Sequence, residues 1–460
     1  MNLKRLVLVG CVGAVFLGLA AVGYKWYRRP VAKSKDLRVV ERSVYTGAPW
    51  APARTVAEDW PRWRGPRGDG ISRETNLAER WPETGPPRLW TAEVGLGYAS
   101  PVAVAGRVYL FTLTGAKDTL TCFDADSGRI LWNVQDSPGW TRSYEGTRAT
   151  PTIEADRIYT FGGSGDLVCR NLADGAAVWK INILQTKGSD PLRWGTSSSP
   201  LISGNHVYVQ GGQTGPVAMA VDKTSGKVAW QSQATGQAGY APLVSVDVGG
   251  TPQLIVFAGT ALIGMDPASG KTIWEEAWTT EYGVNGATPL YRDGQLFVSS
   301  AYDKGCMMLR LTPTGATKLW ENKDVQSRFQ GMIHEGDVVY ANSEGVLKCM
   351  NWADGKVLWQ SREPGLNKGG SLVRVGGTPW MVTMSERGEL TLAKVSPEKI
   401  EIVSQSKVFD DGSETWATPL LYGGRLYAKG EKEFACFDVS PGITSGPASA
   451  PARAPTARGE

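Results

Sequence analysis

Adjacent cysteines, a CxxC pair and any cluster of histidines are missing from this chain. Its six cysteines, Cys11, Cys122, Cys169, Cys306, Cys349 and Cys436, stand apart, so neither c-type haem attachment nor thiolate metal spacing is offered. Cys122, Cys169, Cys349 and Cys436 recur at equivalent places in apolar runs, where cysteine acts as a small hydrophobe. Only His206 and His334 are present, in unrelated contexts, which argues against a histidine metal site and against a serine triad. No metal site is expected. Charge is nearly balanced, 49 basic against 45 acidic residues for a net +4, too mild for a nucleic-acid partner. What is abundant is glycine, 56, and tryptophan, 18.

One uncharged apolar run, residues 6–24, is close to the ~20 residues that cross a bilayer as a helix. Residues 1–5 flank it on one side, and Lys25, Trp26, Tyr27, Arg28 and Arg29 on the other, a set suited to the membrane interface. A cleaved signal peptide would have a shorter apolar core and an AxA-like site after it, so an uncleaved single-pass anchor is expected. Leu8-Val9-Gly10-Cys11 resembles a lipoprotein box only loosely, because the apolar run continues past Cys11. Residues 25–59 are polar and aperiodic and read as a stalk. Residues 441–460 are rich in Pro, Ala, Ser and Gly and are expected to be disordered.

Between these ends the chain repeats. Ser100-Pro101 opens period-2 apolar runs that lead to Trp132, and the pattern returns from Thr150-Pro151 to Trp179, Ser199-Pro200 to Trp230, and Ala241-Pro242 to Trp274. It continues from Thr288-Pro289 to Trp320, from Gly331 to Trp359, weakly from Ser371 to Val403, and from Thr418-Pro419 to Val439. Period-2 runs between glycine turns predict antiparallel strands joined by hairpins. Trp90, Trp132, Trp179, Trp230, Trp274, Trp320 and Trp359 are spaced by 42, 47, 51, 44, 46 and 39 residues, room for four strands each. Before most of them comes a turn such as Asp222-Lys223-Thr224-Ser225-Gly226, in which Asp bonds its own backbone and Gly takes positive φ. Each indole is expected to pack between neighbouring sheets.

The last unit has room for three strands only, and an orphan strand, residues 87–94 around Trp90, precedes the first. If the orphan completes the last sheet, the ring closes without an open edge. Seven tryptophans plus a degenerate position at Val403 then predict an all-β, eight-bladed propeller of four-stranded antiparallel blades over residues 87–440. Residues 60–86 are expected to pack against it as a leader.

The turn "Asp-x-x-Ser/Thr-Gly-Lys-x-x-Trp" resembles the tryptophan-docking repeat of the pyrroloquinoline quinone (PQQ) propeller superfamily, and the resemblance spans residues 87–440. Residues 59–71, DWPRWRGPRGDGI, resemble a leader found before propellers of planctomycete-like bacteria. The superfamily includes PQQ-dependent alcohol dehydrogenases and BamB, a non-enzymatic subunit of outer-membrane β-barrel assembly. The dehydrogenases cover the quinone with a disulfide between adjacent cysteines and pair it with calcium and an Asp base. This chain lacks adjacent cysteines and matches neither the calcium nor the base motif. The resemblance therefore implies a membrane-anchored, BamB-like scaffold with an envelope protein partner, monomeric and without cofactor. The alternative is a diverged quinoprotein oxidoreductase using PQQ with calcium. Positive charge after the apolar run favours a cytoplasmic domain, whereas anchors ahead of propellers deliver them outside; export is the expectation.

Loops entering each first strand should line one mouth of the central channel. Tyr98, Arg148, Trp194, Tyr240, Asn285, Arg328, Lys368 and Trp416 are the candidate ligand-binding residues there, cations and aromatics suited to an anionic or aromatic ligand. Tyr144 and Tyr282 lie on the same loops. The competing reading is that these residues satisfy Glu145, Glu281 and Glu414 and plug the channel. No catalytic residue is expected.

Overall fold

The computed structural model describes residues 56–410, 414–443 and 452–453. The apolar run at 6–24, the stalk up to residue 55 and most of 441–460 lie outside the described residues. Among the described residues no helix is long and apolar enough to cross a membrane.

Eight antiparallel sheets follow one another along the chain, each meandering through four strands. Blade 1 runs from Val102–Val104 to Ile130–Pro138 and blade 6 from Ile333–Glu335 to Val357–Ser361. Blade 8 takes three strands from the end of the chain, Leu420–Tyr422, Arg425–Lys429 and Glu433–Asp438, and its fourth from the beginning, Arg88–Glu93. Trp90 faces Cys436 in that antiparallel pairing, the predicted closure. Two blades carry a fifth strand that the sequence reading lacked. Ile71–Ser72 runs parallel to Ser371–Val375 in blade 7, and Ala452–Arg453 runs parallel to Arg88–Glu93 in blade 8.

A row of side chains crosses most blades. Cys122 pairs with both Tyr109 and Trp132, Cys169 with Tyr159 and Trp179, Cys349 with Tyr340 and Trp359, and Cys436 with Tyr427 and Trp90. The small central residue leaves room for two rings to lean together; Tyr109 and Trp132 centroids are 5.8 Å apart. These cysteines are free and buried, and burial pushes the Cys122 and Cys349 thiols up to about 12, which disfavours the thiolate.

Each indole then reaches the next blade. The indole N–H groups of Trp90, Trp179, Trp230, Trp320 and Trp359 donate to backbone carbonyls of Ala125, Lys223, Pro267, Ala353 and Ser396, at 2.8 to 3.1 Å. The turn glycine lies under the neighbour's ring. A Cβ on Gly226, at φ +71, would come within 2.7 Å of Trp179, and one on Gly128 within 2.5 Å of Trp90. Glycine is thus demanded twice, by the backbone angle and by the ring. Blade 5 lacks this turn, and a side chain bridges the gap: Trp274 donates to Gln253 at 2.8 Å, whose amide donates to the Thr312 carbonyl at 2.9 Å. The Trp132 indole nitrogen is buried with no acceptor among the described residues. Burial is uneven, with Trp90, Trp132 and Trp274 inside and the other four half-buried.

Blade 7 corrects one assignment. Leu392 pairs with Ser404, and the register shifts between Leu392 and Ala393, so Ser404 holds the tryptophan position and Val403 falls in the bulge. The leader supplies the missing wedge. Trp81, 4% exposed, packs with Val382 and Leu392 of blade 7 and Leu426 and Phe437 of blade 8, and its backbone N–H donates to the Ser404 hydroxyl at 2.9 Å.

Serine and threonine before the repeat prolines lace the inner strands. Thr418 N–H donates to the Ser100 hydroxyl, Ser100 N–H to Thr150, and Thr150 N–H to Ser199, at 2.9, 3.1 and 2.9 Å. The lacing crosses the closure between blades 8 and 1. At the same seam the Ala125 carbonyl accepts from Trp90, Arg425 and Tyr427.

Candidate functional site

First and second strands are antiparallel, so loops entering the first strand and hairpins joining the second to the third return to one end of the channel. A cavity of about 360 Å³ opens there, within the usual range of ligand pockets. Tyr98, Arg148, Trp194, Tyr240, Arg328, Lys368 and Trp416 line it together, with Tyr144, Phe329 and Gln330. Asn285 does not. It is fully buried, its amide donates to the Ala258 carbonyl at 2.7 Å, and its oxygen accepts from Ser300 at 2.9 Å. It holds loops in place behind the wall.

Sequence reasoning missed the second-to-third-strand hairpins, which contribute Tyr302 and Glu386 to the wall and Glu344 beside it. Strand alternation was the available signal, since it brings those hairpins to the same end as the entry loops.

The opposite end is filled by the leader. Trp60 exchanges backbone bonds with Ala103, the Pro61 carbonyl accepts from Ile153 at 2.7 Å, Trp63 donates to Thr288 at 3.0 Å, and Arg64 donates to the Met332 carbonyl. One short segment therefore bonds to blades 1, 2, 5 and 6 and makes the channel a blind funnel. Trp63 reaches the cavity as part of its lining.

The cations of the mouth are engaged, though not by the acids expected. Arg328 forms a two-point ion pair with Glu344 at 2.9 and 2.8 Å and donates to the Tyr302 hydroxyl at 2.9 Å. Lys368 approaches the same carboxylate at 3.5 Å. Arg148 donates to the carbonyls of Gly146, Ser143 and Tyr144 and lies over the Tyr98 and Trp140 rings; desolvation lowers it to about 10. Glu386 and Glu414 line the cavity without an ion pair among the described residues. Partial burial, with Glu386 and Glu431 nearby, pushes the Glu414 carboxyl up to about 7.

Aromatic rings form two groups. Trp416 leans on Tyr98 at 4.6 Å, Phe329 at 4.8 Å and Tyr144 at 5.3 Å, while Trp194 meets Tyr240 at 5.9 Å and Tyr282 at 6.1 Å. Tyr144, Tyr282 and Tyr302 sit at φ 56°, 61° and 61°, a left-handed backbone that bulky residues avoid by about 1–2 kcal/mol each. Tyr144 and Tyr282 remain 43% and 50% exposed.

With this geometry in view, the family model described as outer membrane protein assembly factor BamB matches residues 71–215 and 191–361. This chain belongs to the BamB family. BamB of Salmonella typhimurium is 24% identical over 362 residues, covering 65% of this chain and 89% of that protein. BamB from Moraxella catarrhalis superposes with a TM-score of 0.55 at 16% identity, covering 76% of this chain and 97% of its own. The quinohemoprotein alcohol dehydrogenase of Comamonas testosteroni superposes at 0.61 with 12% identity, covering 84% and 81%, a likeness of fold alone. The residues do not fit that enzyme class's PQQ and calcium. No cysteines are adjacent, and among the described residues no three His, Cys, Asp or Glu side chains gather as a metal site.

Proposed function

We propose that this BamB-family propeller is a binding scaffold of the cell envelope, tethered through residues 6–24 with the propeller outside the cytoplasm. Its partner is an envelope protein, and the chain itself is monomeric. The observation that carries the reading is the funnel mouth: a rigid ring holds strained, exposed tyrosines and clustered aromatics around an open cavity. Aromatic and arginine side chains on a rigid frame are the usual composition of recognition hot spots. Of the eight candidate residues, seven remain in the proposed contact surface and Asn285 becomes its support.

The test is purification of the full chain from its own membranes after cross-linking. An envelope protein recovered with the wild type, and reduced when Tyr144 and Tyr282 are both replaced by Ser, supports the scaffold. Recovery that ignores those changes moves the contact elsewhere. Dye reduction by the purified chain with added PQQ and calcium would support the oxidoreductase alternative instead.

A further inference from the structure

Two carboxylates at the mouth form no ion pair among the described residues, although three cations line the same cavity and the charge of Arg328 reaches Glu386. Arg328 and Lys368 share Glu344, and Arg148 is occupied by loop carbonyls. Glu386 accepts only the Gly369 N–H, at 3.1 Å, and Glu414 forms no ion pair among the described residues. Beside them stand the four clustered rings of Trp416, Tyr98, Tyr144 and Phe329. Tyr240, 9% exposed, lines the same cavity. The leader closes the far end, so an occupant must enter from the mouth.

We propose that the funnel mouth receives an arginine side chain presented by the partner protein, its guanidinium against the Trp416 aromatic wall and paired with Glu386 and Glu414. This rests on the scaffold reading and names the chemistry of its partner. Guanidinium suits the place better than ammonium: it is planar, sheds water readily, stacks on indole, and carries five donors for two carboxylates. The cavity, about 360 Å³, is of side-chain scale and too small for a folded element. The groups facing Glu414 are Glu386, Glu431, Tyr98 and Tyr144. Two of these are like charges that resist its ionisation. An arriving cation relieves that repulsion, so binding tightens as pH rises through neutrality.

The experiment titrates the full-length protein with N-acetyl-arginine amide and reads tryptophan emission. Saturable binding is expected, tighter at about pH 8 than at about pH 6, and weakened about tenfold or more in a Glu386→Gln/Glu414→Gln double variant. That variant removes a like-charge pair and should fold at least as well, which urea unfolding would check. N-acetyl-glutamate amide should give no response. Absence of saturable binding, equal binding by the double variant, or preference for the glutamate probe would overturn the proposal. If an envelope protein co-purifies equally with wild type and double variant while the arginine probe fails, the funnel proposal falls and the scaffold stands. If the probe binds as expected but no partner is recovered, the funnel site stands and the scaffold reading falls.

Discussion

The rim and the mouth of this propeller use the same residue types to opposite ends. At the rim, most of the tryptophans stand opposite a small residue and bond a turn of the neighbouring blade, and Trp132 leans on the ring of Tyr109 across Cys122. A bulge accompanies the tryptophan in blade after blade, and the turn glycines sit where positive φ is needed. At the mouth, tyrosines take the positive φ themselves, two of them stay exposed, and two carboxylates form no ion pair among the described residues. The rim relieves strain and, Trp132 apart, satisfies its indole N–H groups, because its work is closure. The mouth retains both, which a purely structural plug would not need.

That contrast can be broken by measurement. The largest effect is expected at the closure: Trp90→Ala removes an indole only 2% exposed and should cost about 4 kcal/mol, against about 2 for the half-buried Trp359, by urea unfolding. Equal losses would mean that the closing blade is no tighter than the rest. Trp81→Ala should cost about 3 kcal/mol, close to a true docking tryptophan; a loss below 1 would reduce the leader to decoration. Gly226→Ala and Gly204→Ala share a positive φ, but only the first meets a ring, whereas nothing lies within 4 Å of the second. The first should cost about 2 kcal/mol or more and the second about 1.

At the mouth the sign reverses. Tyr282→Gly should raise stability by about 1 kcal/mol by relieving the left-handed backbone, while weakening partner recovery. Unchanged stability would remove the argument from strain. The smallest effect is electrostatic. Glu414 is held up to about 7 from an ordinary 4.5, so its stabilising contribution is present below 4.5 and is lost as pH rises through about 7. Glu414→Gln should flatten that slope in thermal unfolding between about pH 5 and pH 8.

Much of the rim was legible in the chain because its signal is local. Asp222 to Gly226 and Trp230 lie within one hairpin, and seven such tryptophans at regular spacing announce a ring. The degenerate blade was misread by one residue, at Val403 for Ser404, because a bulge shifts register without altering composition. The mouth was half legible. Aligning units by their prolines located the entry loops and seven of the eight candidates, but Asn285 needed three dimensions to separate a wall residue from the support behind it. Glu344 and Glu386 were missed because they follow second strands, and their distance in sequence from Arg328 and Trp416 hides that they meet at one mouth.

By itself, the sequence determined the blade: period-2 strands, the turn that forces its glycine, the indole that must be buried, and the orphan strand that closes the ring. Those follow from interactions within one hairpin or from one repeat meeting its copy. Only the tertiary structure decided that Trp81 replaces a missing wedge, that Trp60 to Arg64 seal one end of the channel, and which charges at the other end are neutralised. Pairings such as Arg64 with Met332 depend on where a closed ring places distant loops, and no local pattern encodes that distance.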